Sequence, residues 1–414
     1  MELDPAPKRR LSRLARIRAQ RQLLPGNVRA LGWVSFANDL ASELAYPVVP
    51  LFLTITLGAP VAVVGLIEGI AEGIAVGLRG ISGRLSDRAA QRRVPWIFSG
   101  YAASAVARPV IAAAPAWGWV LGGRLVDRLG KAARTAPRDA IIKDSTPASL
   151  MGASFGYHRA LDTAGAVVGP LIAVVMLAAG ASLRSVLWAA VIPGFVTLVL
   201  LRRVREAPKA AAAQQITERR EHAVEPMPRA FWFVLTVWVV FSLGNSSDVF
   251  LLLRAKDLGL GSTLVILAYA FYNVVYSGLA WPLGVLSDRV SRPLVLAGGL
   301  VVFGLTYLGF AVASTSWAVW PLFIVYGIYI AATEGVARAW IADHAPAGAS
   351  GTAYGIFAAA TGASLLIASV AAGLLWTRVS PNAPFVLGAL SAGLALLLLA
   401  AAHGLARYNA WRER

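Results

Sequence analysis

The fold class this sequence predicts is an all-α membrane protein, with twelve transmembrane helices arranged as two pseudo-symmetric six-helix bundles. Three observations predict it. The 414-residue chain is 57% hydrophobic and 14% charged, with a mean hydropathy of +0.65, whereas soluble domains carry about 25% charged residues. Runs of roughly 20 mostly apolar residues, the length that crosses a hydrocarbon core about 30 Å thick at about 1.5 Å per residue, recur along the whole chain. Finally, Leu85-Ser86-Asp87-Arg88 returns as Leu286-Ser287-Asp288-Arg289, 201 positions later. Leu57-Gly58 maps onto Leu258-Gly259 at the same offset, and Asp144, Pro147, Gly152, Phe155 and Gly156 map onto Asp343, Pro346, Gly351, Tyr354 and Gly355 at 199. A repeat of that length exceeds any solenoid unit and points to two related membrane halves.

The elements follow in order. A basic tail, 1–27, with Leu11, Leu14 and Ile17 among its cations, is a solvated orientation signal or an amphipathic helix on anionic lipid. It precedes a first span near 30–54, in which Asp39 and Glu43 lie one turn apart on one face. This run is longer than a signal-peptide core and reads as a retained helix. The second span, 60–82, holds Glu68 and Glu72, which either line a cavity or pair with Arg108 of the third, 94–113. Arg124, Asp127 and Arg128 interrupt the fourth, 116–136. In the fifth, 152–179, Arg159 and Asp162 stand where they neutralise one another or act in gating, beside His158. The sixth covers 184–201. Residues 204–229 have ordinary soluble composition and form a linker, so the bundles occupy 28–203 and 230–406, with a tail at 407–414. The second bundle repeats the pattern at 230–254, 262–286, 292–313, 316–341, 351–376 and 382–405. Its polar positions are Asn245-Ser246-Ser247-Asp248 in the seventh span and Tyr326, Tyr329 and Glu334 in the tenth. Trp33, Tyr46, Tyr272, Tyr276 and Trp281 are either stacking platforms for a flat solute or packing and interface anchors.

The net charge of +17 is distributed by side. The first tail (Lys8 to Arg21), the middle loop (Arg202 to Arg229) and the end of the chain (Arg407, Arg412, Arg414) are basic, while the opposite loops hold only Arg184, Arg254, Lys256 and Arg378. By the positive-inside rule both termini face the cytoplasm and the chain sits in the inner (plasma) membrane. Basic residues in short loops do not make a nucleic-acid module. Cysteine is absent, the four histidines lie far apart, and neither HExxH nor a glycine-rich phosphate loop occurs. No metal, cofactor or enzymatic chemistry is therefore expected.

Gly83-x-Leu85-x-Asp87-Arg88, followed by Arg92 and Arg93, resembles the loop after the second helix in the major facilitator superfamily, departing from it at Ala90 and Gln91. Gly284, Asp288 and Arg289, with Arg292, repeat it. The resemblance implies a cytoplasmic latch, formed where glycines let helices approach and arginines bridge to carboxylates. Gly156, Gly165, Gly169 and Pro170 resemble the fifth-helix motif of the superfamily's proton-coupled antiporters, with Ala173 in place of its last glycine. Leu121, Arg124 and Gly130 resemble the fourth-helix arginine motif, with Asp127 and Arg128 replacing its usual residues. This resemblance implies a central cavity walled by the first, fourth, seventh and tenth helices.

An ionisable group at the bilayer centre costs about 2.5–3.5 kcal/mol by insertion scales, so each needs a partner, a wet cavity or a proton. The expected cavity set is Asp39, Glu43, Glu72, Arg124, Arg159, Asp162, Asn245, Asp248, Tyr326 and Glu334. Asp39 or Glu43 is the expected proton acceptor, with Arg124 and Asp127 biasing it; the competing reading is a static salt bridge between the first and fourth helices. The expected function is alternating-access transport of a small organic solute by a lipid-embedded monomer, with proton-coupled efflux ahead of proton-coupled import or uniport of a metabolite or anion. A scaffold or lipid scramblase has no need for so many buried charges.

Overall fold

The computed structural model describes residues 24–88, 93–147, 150–206, 226–344 and 350–412. Most of the basic tail and the central part of the linker lie outside these residues. The helices are α1 (Gly26–Ala45), α2 (Val48–Leu51, continuing as a π-helical turn Phe52–Thr56), α3 (Val61–Arg88), α4 (Arg93–Ala113), α5 (Trp117–Asp144), α6 (Met151–Ala178), α7 (Leu183–Ala189) and α8 (Val191–Leu201) in the first half. The second half has α9 (Arg229–Ser242), α10 (Val249–Asp257), α11 (Ser262–Arg289), α12 (Arg292–Val312), α13 (Val319–Asp343), α14 (Ser350–Arg378) and α15 (Ala383–Arg412). Among the described residues they group into twelve rods, with α1–α2, α7–α8 and α9–α10 each making one interrupted rod. Seven segments are long and apolar enough to cross a membrane on composition alone.

Several helices overrun their expected ends: α5 continues to Asp144 and α15 to Arg412. Hydropathy marks only the part in hydrocarbon, whereas Arg, Lys and Ala propagate a helix beyond it. Both Leu-Ser-Asp-Arg copies accordingly form the closing turns of α3 and α11 instead of opening a loop. The side chains of Gly83, Asp87, Arg88, Gly284, Asp288 and Arg289 lie outside the described residues. Rod one breaks at Tyr46-Pro47, where proline lacks the N–H that would continue the helix. Rod seven, expected to be continuous, breaks over Leu243–Asp248 with no proline.

The two halves meet along two equivalent seams. α3 packs on α14 and α6 on α11, and the repeat maps the second rod onto the eighth and the fifth onto the eleventh. On the α3–α14 seam a Cβ at Gly69 would stand 3.0 Å from the Leu366 carbonyl, and one at Gly73 2.9 Å from the Leu366 side chain. Gly65, Gly69 and Gly73 thus form a small-residue face against Gly362, Leu366, Ser369 and Gly373. The Ala62 amide also donates to Thr377 Oγ1 at 3.2 Å. The repeat extends to ion pairs: Arg93 bonds Asp144, and 199 positions later Arg292 bonds Asp343, each tying the start of one rod to the end of the next.

Asn27 bonds both Ser145 and Arg205, which puts these segments at one end of the bundle, the terminal end. Toward the far end, one apolar core joins the halves through residues such as Val48, Phe52, Val64, Phe250 and Leu252. At the terminal end the second buried cluster, Val28, Leu31, Val34, Ile97, Tyr101, Ile141, Ile142, Leu201 and Val204, belongs to the first half alone. Apolar packing between the halves is thus continuous toward the far end.

Candidate functional site

The charges of the first half form a chain of partners. Glu68 on α3 accepts from Arg124 Nη2 on α5 at 2.7 and 2.5 Å, both side chains being buried. One turn along each helix, Arg128 Nε lies 3.0 Å from Glu72. Asp127 lies at 3.9 Å from Arg128, and the Arg124 guanidinium sits 5.6 Å from the centre of the Tyr46 ring. Arg108, expected as a partner for Glu68 or Glu72, instead donates to Asn38 Oδ1 at 2.9 Å. Arg124 likewise pairs across rods two and four, with Glu68 and not with Asp39 or Glu43 of rod one.

The first and fifth rods bring two carboxyls together. A Cβ at Gly169 would meet the Leu44 amide at 2.7 Å and the Leu40 carbonyl at 2.8 Å; one at Gly165 would stand 3.3 Å from the Asp39 Cβ. These glycines let the α1 and α6 backbones touch. Asp162, one turn before Gly165, then comes within hydrogen-bonding reach of Asp39. Two carboxyls that close bond to one another only through a shared proton. Ser35 donates to Asp162 at 2.6 Å, Arg159 pairs with it at 3.2 Å, and Asn38 donates to Asp39 at 3.1 Å. Gly156 lies in the same helix, and Pro170 is buried there.

In the second half the acids rest on hydroxyls. Asp248 accepts from Tyr326 at 2.6 Å and from Tyr272 at 2.8 Å. Asn245 donates to Tyr329 at 2.9 Å, and Tyr276 donates to Glu334 at 2.7 Å. Contacts also cross between halves: Tyr269 donates to Glu43 at 2.7 Å, Tyr46 reaches Ser247, and Arg159 reaches Tyr276. Asp39, Glu43, Glu72, Asn245 and Asp248 are partly exposed between the bundles, and Glu334 is exposed. The expected cavity residues thus gather at one centre, with Arg124 buried behind it. Sequence reasoning missed Ser35, Asn38 and Tyr269. No charge marks them, and a tyrosine in an apolar run reads as packing. Among the described residues no group of three or more His, Cys, Asp or Glu side chains is arranged to hold a metal.

Two helical bundles with a polar centre between them are the architecture of a multi-pass secondary transporter. The chain belongs to the Major Facilitator Superfamily, whose sequence profile matches residues 31–254 and 249–413. It is 33% identical over 383 residues to an uncharacterised MFS-type transporter of Methanocaldococcus jannaschii, covering 91% of this chain and 94% of that one. Over 129 residues it is 36% identical to the class C tetracycline resistance protein of Escherichia coli, covering 31% of this chain and 32% of that one. The crystal structure of the peptide transporter POT in complex with sulfate superposes with a TM-score of 0.73 at 14% identity, covering 92% of this chain and 95% of that chain, a likeness of fold.

Proposed function

We propose that this transporter is a proton-coupled exporter of a small organic solute, and that its proton resides on the Asp39–Asp162 pair. The observation that carries this reading is the contact of the two carboxyls across the glycine face of α1 and α6. The pair joins α1 to α6, and α6 also packs on α11 of the other half. Arg159 bonds Asp162 and reaches Tyr276, so a change of charge on the pair is felt across the seam. Export is supported by the antiporter-like glycines of the fifth helix and by the relative named for tetracycline resistance. In this reading the termini and linker are cytoplasmic, the described conformation faces inward, and a single chain in the inner membrane carries the whole pathway. The bundles 28–203 and 230–406 rock about the centre, with Gly83, Asp87, Arg88, Gly284, Asp288 and Arg289 latching the cytoplasmic side when it closes. Glu43, Arg124 and Asp127 act around the proton pair, Arg124 from behind by holding Glu68.

The test is transport in proteoliposomes carrying an imposed pH gradient of either sign, with a panel of organic cations, anions and neutral solutes. Solute movement driven by the gradient in wild type and indifferent to it in Asp39→Asn and Asp162→Asn is the expected result. Movement indifferent to the gradient in all three proteins would overturn the coupling.

A further inference from the structure

We infer that Asp248, set in the break of the seventh rod, anchors a cationic organic substrate against a wall of tyrosines. The inference rests on the transport reading above and deepens it by naming the class of solute. Broken membrane helices expose backbone and polar side chains only where these line a cavity or bind a ligand. Here the break spans Leu243–Asp248, and its Asp248 is partly exposed to the space between the bundles. Each carboxyl oxygen accepts one tyrosine hydroxyl, from Tyr326 and Tyr272. Hydroxyls orient a carboxylate without neutralising it, and among the described residues no Lys, Arg or His is bonded to Asp248. The other strong charges acting on it, Glu334 and Glu72, are acids as well. An anionic substrate would meet repulsion here; a cation would supply the missing charge.

The shape of the surroundings agrees. Tyr269 and Tyr272 meet edge-on with centroids 5.1 Å apart, Tyr272 and Tyr326 lie at 5.5 Å, and Tyr46 joins Tyr269 at 5.6 Å. Their rings form a continuous layer contributed by both halves, with Tyr269, Tyr272 and Tyr326 buried and Tyr46 partly exposed, and an exposed aromatic face attracts ammonium-type cations. Asp248 is the residue before α10, yet its side chain makes no capping hydrogen bond to that helix, so its carboxylate is held by the two tyrosines. Asp39 lies one turn before Glu43, which is bonded to Tyr269, which in turn touches Tyr272. The proton pair and the proposed cation anchor are thereby in contact through the tyrosine wall.

The experiment compares tetraphenylphosphonium with its isostere of opposite charge, tetraphenylborate, and adds benzyltrimethylammonium as a small cation. Binding is read on the purified full-length protein in detergent by equilibrium dialysis and by thermal stabilisation. At least one of the cations is expected to bind saturably and tetraphenylborate is not. Asp248→Asn is expected to weaken that binding about tenfold or more, and Asp248→Glu to restore part of it. Tyr272→Phe, which removes one hydroxyl and keeps the ring, is expected to weaken it less. A monodisperse Asp248→Asn protein that binds cations as wild type does would overturn the inference, as would failure of both cations or saturable binding of tetraphenylborate. Binding is read without any gradient, so cation binding combined with gradient-indifferent transport would sink the proton coupling and leave the anchor standing.

Discussion

In the first half Glu68 is gripped by Arg124 and Glu72 by Arg128, whereas in the second half Asp248 is held by the hydroxyls of Tyr272 and Tyr326. The two halves repeat one architecture down to the pairs Arg93–Asp144 and Arg292–Asp343, yet they treat their central acids differently. An arginine cancels the charge of a buried carboxylate and locks two rods together, but removing one partner leaves an uncompensated charge in a low-dielectric interior. A tyrosine hydroxyl satisfies an oxygen and leaves the charge available. The first half therefore holds Glu68 and Glu72 in fixed pairs, whereas the second half leaves the charge of Asp248 uncancelled; in the proposed cycle the former stand beside the proton pair and the latter meets the solute.

Arg124→Ala should break this contrast most severely. It strands Glu68 and should cost about 3–5 kcal/mol, read as a fall in thermal stability in detergent, while the double replacement of Arg124 and Glu68 by leucine should recover most of the loss. A mild effect of Arg124→Ala would mean that the pair is not the lock described here. Gly165→Val comes next, because the added methyls meet the α1 backbone. Overpacking of about 1–3 kcal/mol is expected, together with loss of gradient-driven transport as Asp39 and Asp162 separate. Tyr326→Phe removes one hydroxyl from Asp248 and should cost about 1.5 kcal/mol, the lower range for a bond to a charged group, with its main effect on cation binding. Arg292→Ala should cost least, under about 1 kcal/mol, since both partners of its pair are partly exposed, the Asp343 side chain at 47%. Its counterpart Arg93→Ala, with partners only 8% and 4% exposed, should cost several times more, and equal effects would show that the symmetry of the repeat outweighs burial.

The all-helical membrane fold and the duplication were legible in the sequence because hydropathy and a 201-residue offset are properties of the chain itself. The shared face of Asp39 and Glu43 and the pairing of Arg159 with Asp162 were legible too, since helical spacing settles which residues are neighbours within one rod. Partners between rods were not. Arg124 chooses Glu68 over Asp39 or Glu43, and Arg108 chooses Asn38, according to how the rods are rotated and offset in depth, which no spacing within one helix encodes. The break in rod seven was hidden for a related reason: Gly244-Asn245-Ser246-Ser247 leaves the helix without a proline, its backbone held instead by partners such as Ser369, which accepts from the Ser247 amide at 3.1 Å. The seam residues Gly65, Gly69 and Gly73 were readable at their spacing of four, a small-residue pattern that the charged positions nearby overshadow.

In the proposed cycle the proton sits on the Asp39–Asp162 pair and the solute on the tyrosine-held Asp248, in contact but separate. Proton release on cation binding tests it most directly, measured in weakly buffered detergent solution with a pH-sensitive dye as tetraphenylphosphonium or benzyltrimethylammonium is added. Wild type should release protons in step with binding, Asp39→Asn should bind the cation with little or no release, and Asp248→Asn should bind and release only at concentrations about tenfold or more higher. Equal release from wild type and Asp39→Asn, or loss of cation binding in Asp39→Asn, would contradict the division of the two sites.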